Sequence, residues 1–189
     1  MLILASASPR RREILLAAGI AHVVDAANVD ETPLSGEEPH AYAERLARAK
    51  ASAVASRQPG GTVIGADTVV VIDDQILGKP IDAADARRML EQLAGRDHVV
   101  LTAVAVARDG QVQSAVAETQ VSMRVLTPAE IAAYVDTGEP MDKAGAYAIQ
   151  GGAAGFITRI FGDFDNVVGL PMAAVRRLLS AVGGSYPER

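Results

Sequence analysis

Two long apolar runs, residues 97–108 and 111–126, meet at Asp109-Gly110, and no other feature restricts the fold of this chain as tightly. Asp-Gly suits a two-residue turn in which both central residues take positive φ, so the runs fold back as an antiparallel hairpin. Elsewhere predicted helices alternate with predicted strands, which lays helices over a sheet. The hairpin makes that sheet mixed rather than wholly parallel and gives an α/β class. A plain dinucleotide-binding fold is disfavoured, because its Gly-x-Gly-x-x-Gly is replaced after the first apolar run by Ser6-Ala7-Ser8-Pro9-Arg10-Arg11. Gly151-Gly152-Ala153-Ala154-Gly155 has the wrong spacing for that motif. The Walker A phosphate loop and the Gly-x-Ser-x-Gly of serine hydrolases are both absent.

Around the hairpin, spacing of Ala, Leu and Val predicts a helix over residues 39–57, closed by Gly60-Gly61. Residues 62–72 read as a central strand, followed by a turn at Asp73-Asp74 and a short run to Leu77. Asp82 caps a helix over 83–93 that stops at Gly95, and Thr127-Pro128 with Glu130 opens a short helix ending near Gly138. A strand over 155–161 and a closing helix over 170–182 complete the reading. No internal repeat, low-complexity tract or linker divides the chain. Its 189 residues, 49% hydrophobic, are enough for one globular domain over 1–189, with room for two lobes.

Cysteine is absent, which removes disulfides, thiolate nucleophiles and cysteine metal sites and fits a reducing compartment, the cytoplasm by default. No apolar stretch reaches the roughly 18 residues that cross a bilayer, and the start lacks a signal pattern, so no membrane partner is expected. A net charge of −5 with scattered acids argues against nucleic acid, whose binding needs a broad basic face. A small anion in a local basic pocket is compatible with it.

The chemistry concentrates in a few places. Ser8 suits an N-cap and Pro9 the first helical position, which sets Arg10, Arg11 and Arg12 in a first turn where the helix dipole is already positive. Two readings stay open there, a seat for a multiply charged anion such as phosphate and a solvated basic turn. Lysine occurs only at Lys50, Lys79 and Lys143 against fifteen arginines, and each lies beside a candidate motif. Asp67 sits inside the apolar run Val63 to Ile72, where an ionised group is costly unless paired, hydrogen-bonded or metal-bound. Glu31 follows a predicted strand and approaches from a loop, and the two acids with triphosphate oxygens suit a hard divalent cation such as magnesium. A hydrogen-bonded structural aspartate and an exposed loop glutamate are the plain alternative. His22, His40 and His98 show no pairing pattern with an acid and read as structural or exposed.

Taken in order, Ser6-Ala7-Ser8-Pro9-Arg10-Arg11, Val29-Asp30-Glu31, Ala47-Arg48-Ala49-Lys50-Ala51, Gly65-Ala66-Asp67-Thr68-Val69-Val70, Leu77-Gly78-Lys79-Pro80 and Asp142-Lys143-Ala144-Gly145-Ala146-Tyr147 resemble the Maf family of nucleoside triphosphate pyrophosphatases. The resemblance covers residues 2–178. It implies a mixed α/β fold of the inosine triphosphatase-like type with two lobes around a cleft, usually as a homodimer. Ile149-Gln150-Gly151 and Asn166-Val167-Val168-Gly169-Leu170-Pro171 resemble the branch acting on dTTP and UTP rather than on 7-methyl-GTP.

Carried over position by position, the resemblance makes Asp67 the proton acceptor and sets Arg11, Thr68 and Gln150 at positions that govern base specificity. Ser8, Arg10, Lys50 and Lys79 fall to the substrate, and Glu31 with Asp67 to a divalent metal, Mg2+ or Mn2+. Gln150 carries an acceptor and two donors, so its carbonyl can take the N3 proton of uracil or thymine, a pattern that cytosine inverts. Ala148 and the acidic Gly162-Asp163-Phe164-Asp165-Asn166 depart from the family's common pattern. The resemblance also implies a second reading, a nucleotide-binding regulator of septum formation with little turnover.

Overall fold

The computed structural model describes residues 1–183. Its strands are β1 (Leu2–Leu4), β2 (Val23–Val24), β3 (Thr62–Ile72), β4 (Gln75–Leu77), β5 (Asp97–Arg108), β6 (Gln111–Met123) and β7 (Ile157–Phe161). Its helices are α1 (Pro9–Ala17), α2 (Pro39–Ala55), α3 (Ala83–Leu93), α4 (Pro128–Asp136), α5 (Phe164–Val168) and α6 (Met172–Ala181). The strands form one mixed sheet in the order β2-β1-β3-β5-β6-β7, with β4 paired to β3. β1 runs parallel to β2 and β3, whereas β4 and β7 run antiparallel to β3 and β6.

Turn chemistry explains both reversals. Asp109 and Gly110 take φ of 50° and 80°, and Asp73 and Asp74 take 49° and 61°, the positive pair that a type I′ hairpin turn needs. The caps are also as predicted: the Asp82 carboxylate accepts from Asp85 N at 2.7 Å, and Thr127 with Glu130 closes a capping box on α4. Ser8 stands at the N-cap of α1, but its hydroxyl makes no capping bond; its own N–H donates to Ser6 Oγ at 3.3 Å. Strand β6 ends at Met123, three residues before the predicted limit, where the β6–β7 register shifts between Ser122 and Met123 and ends the ladder.

Two compact units divide the contacts. The first comprises Met1–Asp67, Thr102–Ala117 and the chain from Gly169 onward; the second comprises Thr68–Leu101 and Glu118–Val168. The core of the first gathers Leu2, Leu4, Leu15, Ile64, Val104 and Leu179, and that of the second Val70, Leu90, Leu93, Val121, Ile131 and Tyr134. Each thus has its own apolar core, which is what an independent packing unit requires. Among the described residues no helix is long and apolar enough to cross a membrane.

Candidate active site

In the first unit the site begins with a glycine. A Cβ on Gly65 would stand 2.3 Å from Ala47 O and 2.6 Å from Ala51 N, so only glycine lets the backbone of α2 lie directly on β3. Asp67, two residues on, shares the strand face of Gly65, because strand side chains alternate. On α2 the residues between Ala47 and Ala51 include Lys50, and close approach of the two backbones brings the pair together. Lys50 Nζ lies 2.7 Å from Asp67 Oδ1 and 2.6 Å from Glu31 Oε1. Lys50 and Asp67 are only 8% and 7% exposed, whereas the Glu31 side chain is half exposed.

Helix α2 also holds Glu31 in place. Tyr42, Leu46 and Lys50, spaced four apart, form one buried stripe of the helix. Tyr42 Oη donates to the Glu31 carbonyl at 2.8 Å, and Arg45 Nη2 donates to Thr32 O at 3.2 Å. Arg45 in turn forks onto Glu37 at 2.6 and 2.7 Å and holds its carboxyl down to about 2. Burial, and after it the charges of Asp67 and Glu31, pushes the Tyr42 hydroxyl up to about 12, so it stays a donor.

Burial raises the pKa of Asp67 above the ordinary carboxylate value; Lys50 and then Arg11 pull it down, and Glu31 pushes it up again. Arg11 enters from the first turn of α1. Its Nε donates to Gly169 O at 2.8 Å, and its Nη1 to Ser6 Oγ at 3.0 Å and Ala66 O at 2.9 Å. Desolvation lowers the guanidinium pKa, the field of Asp67 opposes it, and Arg10 adds to the lowering. Arg11 therefore braces the carbonyl next to Asp67. Arg10 and Ser8 lie half-buried on the same turn, and Arg12 is exposed.

In the second unit, Thr68 follows Asp67 on β3, and Lys79 lies exposed on the loop after β4. Gln150 is exposed at the tip of a turn. Gly145, with φ of 68°, donates its N–H to Gly78 O at 3.0 Å, and a Cβ there would stand 2.7 Å from Val70 Cγ2. The residue before Lys79 and the segment leading to Gln150 are thereby tied together. That segment is held at three further points: Tyr147 Oη lies 2.7 Å from His98 Nε2, Ala148 N donates to Tyr134 Oη at 3.1 Å, and Gly152 N donates to Glu139 Oε2 at 2.9 Å. His98, read from the sequence as structural or exposed, is buried against Tyr147. Asp163 Oδ1 accepts from Asp165 N at 2.8 Å, so this acidic stretch caps a turn into α5.

The structure thus brings together Glu31, Lys50, Asp67 and Arg11 in one unit, and ties the loops bearing Lys79 and Gln150 in the other. Sequence reasoning missed Tyr42, Tyr134 and Glu139. The four-residue spacing of Tyr42 to Lys50 on a helix was the one available signal; nothing local marks the other two.

A mixed α/β sheet that buries an acid against a lysine, next to a helix opened by arginines, defines an α/β protein with a candidate functional site at that charged pair. The particular family follows from comparison: a model described as Maf-like protein matches residues 1–182, and the chain belongs to the Maf family. It is similar to proteins named dTTP/UTP pyrophosphatase. That of Symbiobacterium thermophilum is 51% identical over 186 residues, covering 98% of this chain and 95% of that protein. That of Geobacter metallireducens is 52% identical over 185 residues, with 96% of each covered. The Myxococcus xanthus protein is 48% identical over 189 residues, spanning 100% of this chain and 96% of its own length. Among solved structures, the Staphylococcus aureus Ham1 protein aligns over 65% of this chain and 71% of that one, with 16% identity and a TM-score of 0.47.

Proposed function

We propose that this protein is a nucleoside triphosphate pyrophosphatase that hydrolyses dTTP and UTP to the nucleoside monophosphate and pyrophosphate. Relatives at about half identity over nearly the whole chain carry that name. The observation that carries the reading in the structure is the buried Asp67, held 2.7 Å from Lys50 Nζ, with Glu31 on the same ammonium at 2.6 Å.

Asp67 is the proton acceptor. Its raised pKa makes it a stronger base than a solvated carboxylate while Lys50 and Arg11 keep the ionised form accessible, the compromise that general-base catalysis favours. It takes a proton from the water that attacks the α-phosphate, and pyrophosphate leaves. Lys50, Lys79 and Arg10 offset charge on the phosphate oxygens, and Ser8 contacts the same groups from the start of α1. Arg11 fixes the backbone beside Asp67 and, with Thr68 and Gln150, reads the base.

Pyrophosphatases of the Maf family are in general metal-dependent hydrolases. Two carboxylates converging on one cationic centre fit that requirement, because magnesium is held by one or two carboxylates together with substrate phosphates. Glu31 and Asp67 are the residues that would hold Mg2+ or Mn2+, which when bound supplies charge neutralisation at the phosphates. Among the described residues no cluster of three or more His, Asp or Glu side chains offers an alternative cage.

The test is incubation with magnesium or manganese and UTP, dTTP, CTP, GTP or 7-methyl-GTP, with products separated by chromatography. Monophosphate plus pyrophosphate from UTP and dTTP is the expected outcome; tight binding without turnover would move the protein to the regulator reading. Asp67→Asn should lower kcat by about 100- to 10,000-fold while retaining nucleotide binding. A folded variant with undiminished turnover would remove Asp67 from its role.

A further inference from the structure

The turn that carries Gln150 is gripped at both ends, and one of the two grips is a carboxylate. At the near end Tyr134 Oη accepts from Ala148 N at 3.1 Å; at the far end Glu139 Oε2 accepts from Gly152 N at 2.9 Å. Between them Gly151 leaves the carboxylate no competitor for space: a Cβ there would stand 1.9 Å from Glu139 Oε1. Burial raises the pKa of the Tyr134 hydroxyl, the bond from Ala148 lowers it and the nearby Glu139 raises it again, so the hydroxyl stays protonated. Tyr134 is buried on α4, and Glu139 opens the short 3-10 turn that follows the left-handed Gly138 just beyond that helix.

We infer that Glu139 is a specificity-positioning residue: its carboxylate sets the turn 148–152 and thereby the point from which the Gln150 amide is presented. The inference rests on the assignment of Gln150 to the pyrimidine base made above. Distinguishing uracil from cytosine requires the amide to offer its carbonyl, not its NH2, to the ring N3. A bond to the backbone leaves the amide free to rotate, but it fixes the point from which the Gln150 side chain reaches the base, and a loose turn would let that point wander.

The experiment measures kcat and KM for UTP and CTP in wild type, Gln150→Ala, Glu139→Ala, Glu139→Gln and Gly151→Ala. Glu139→Ala should lower the UTP-to-CTP ratio of kcat/KM by about tenfold, chiefly through the KM for UTP. Glu139→Gln, which keeps an acceptor for Gly152 N, should recover most of the ratio. Gly151→Ala, which displaces the carboxylate while leaving Glu139 in the sequence, should reproduce the defect. It reads out the same point if Glu139→Ala does not fold. A merely structural role would lower activity toward both nucleotides in proportion and leave the ratio alone. If Gln150→Ala lowers the ratio and neither Glu139→Ala nor Gly151→Ala does, the inference is overturned while the assignment of Gln150 stands. If Gln150→Ala itself leaves the ratio unchanged, that assignment fails and the inference goes with it.

Discussion

One ammonium, that of Lys50, is shared by two carboxylates, and a divalent cation recruited with substrate would seek the same oxygens. On the proposed assignment of the metal to Glu31 and Asp67, lysine and metal compete for these carboxylates until phosphate oxygens offer Lys50 another partner. Lys50→Gln should expose this competition. Without its cation, buried Asp67 faces Glu31 with the field of Arg11 left to offset the repulsion, and losing one member of a buried pair costs about 3–5 kcal/mol. The variant alone should melt well below wild type. Added Mn2+ should then raise its melting temperature more than it raises that of wild type, because the cation binds the native pair and not the unfolded chain. Equal shifts in the two proteins would show that lysine and metal do not share a site. Asp67 and Lys50 were legible in the sequence for reasons of cost and rarity: a charge inside an apolar strand, and a lysine in a chain that otherwise uses arginine. Tyr42 and Glu139 were not, because each acts on a backbone group 11 or 13 residues away in an irregular segment, where no periodicity links the partners.

At the scale of elements, the distance between α2 and β3 decides whether Lys50 reaches Asp67 at all, and Gly65 sets that distance. Gly65→Ala places a methyl group 2.3 Å from a helical carbonyl oxygen, which cannot rotate away as a side chain would. The helix must move, at about 1–3 kcal/mol for overpacking of this kind, and Lys50 moves with it. Thermal unfolding should show the loss and turnover should fall with it, whereas Gly155→Ala, with nothing within 4 Å of the added carbon, should be silent in both. Unchanged stability in Gly65→Ala would mean that α2 does not rest on β3 in this way. The bounds of β3, α3 and β5 were readable to the residue because capping and turn residues flank them: Asp82 before α3, Asp73-Asp74 after β3, Asp109-Gly110 after β5. The two-residue β2, the strand expected before Glu31, could not be bounded because it is too short to show alternation, and α5 escaped because an Asx turn at Asp163, not amphipathic spacing, starts it. Ser8 taught the converse, a good capping residue in the capping position whose hydroxyl does not cap.

Over the whole molecule, the balance of buried ionisable groups sets how stability responds to pH. His98 is 3% exposed, and its Nε2 meets the Tyr147 hydroxyl, while Nδ1 has no hydrogen-bond partner among the described residues. Burial drives its pKa down from 6.5 to about 4, opposed weakly by Asp97. A histidine depressed in the folded state binds its proton first in the unfolded chain, so its effect is absent above about pH 6.5 and destabilises progressively as pH falls toward 4. A shift of that size corresponds to about 3 kcal/mol. The half-buried carboxylates Asp25, Glu37 and Glu130, held down to about 2 by Arg57, Arg45 and Arg124, lose their contribution only below the ordinary carboxylate range. Asp67 works in the opposite sense, since a raised carboxyl pKa relieves a penalty as pH falls. Comparing wild type with His98→Gln cancels these other groups. Denaturant unfolding should show the stability difference shifting in the variant's favour between pH 6.5 and 4 and constant above pH 7. Parallel stability curves across that window would mean that His98 keeps an ordinary pKa in the folded protein, and that the pair it forms with Tyr147 is open to water.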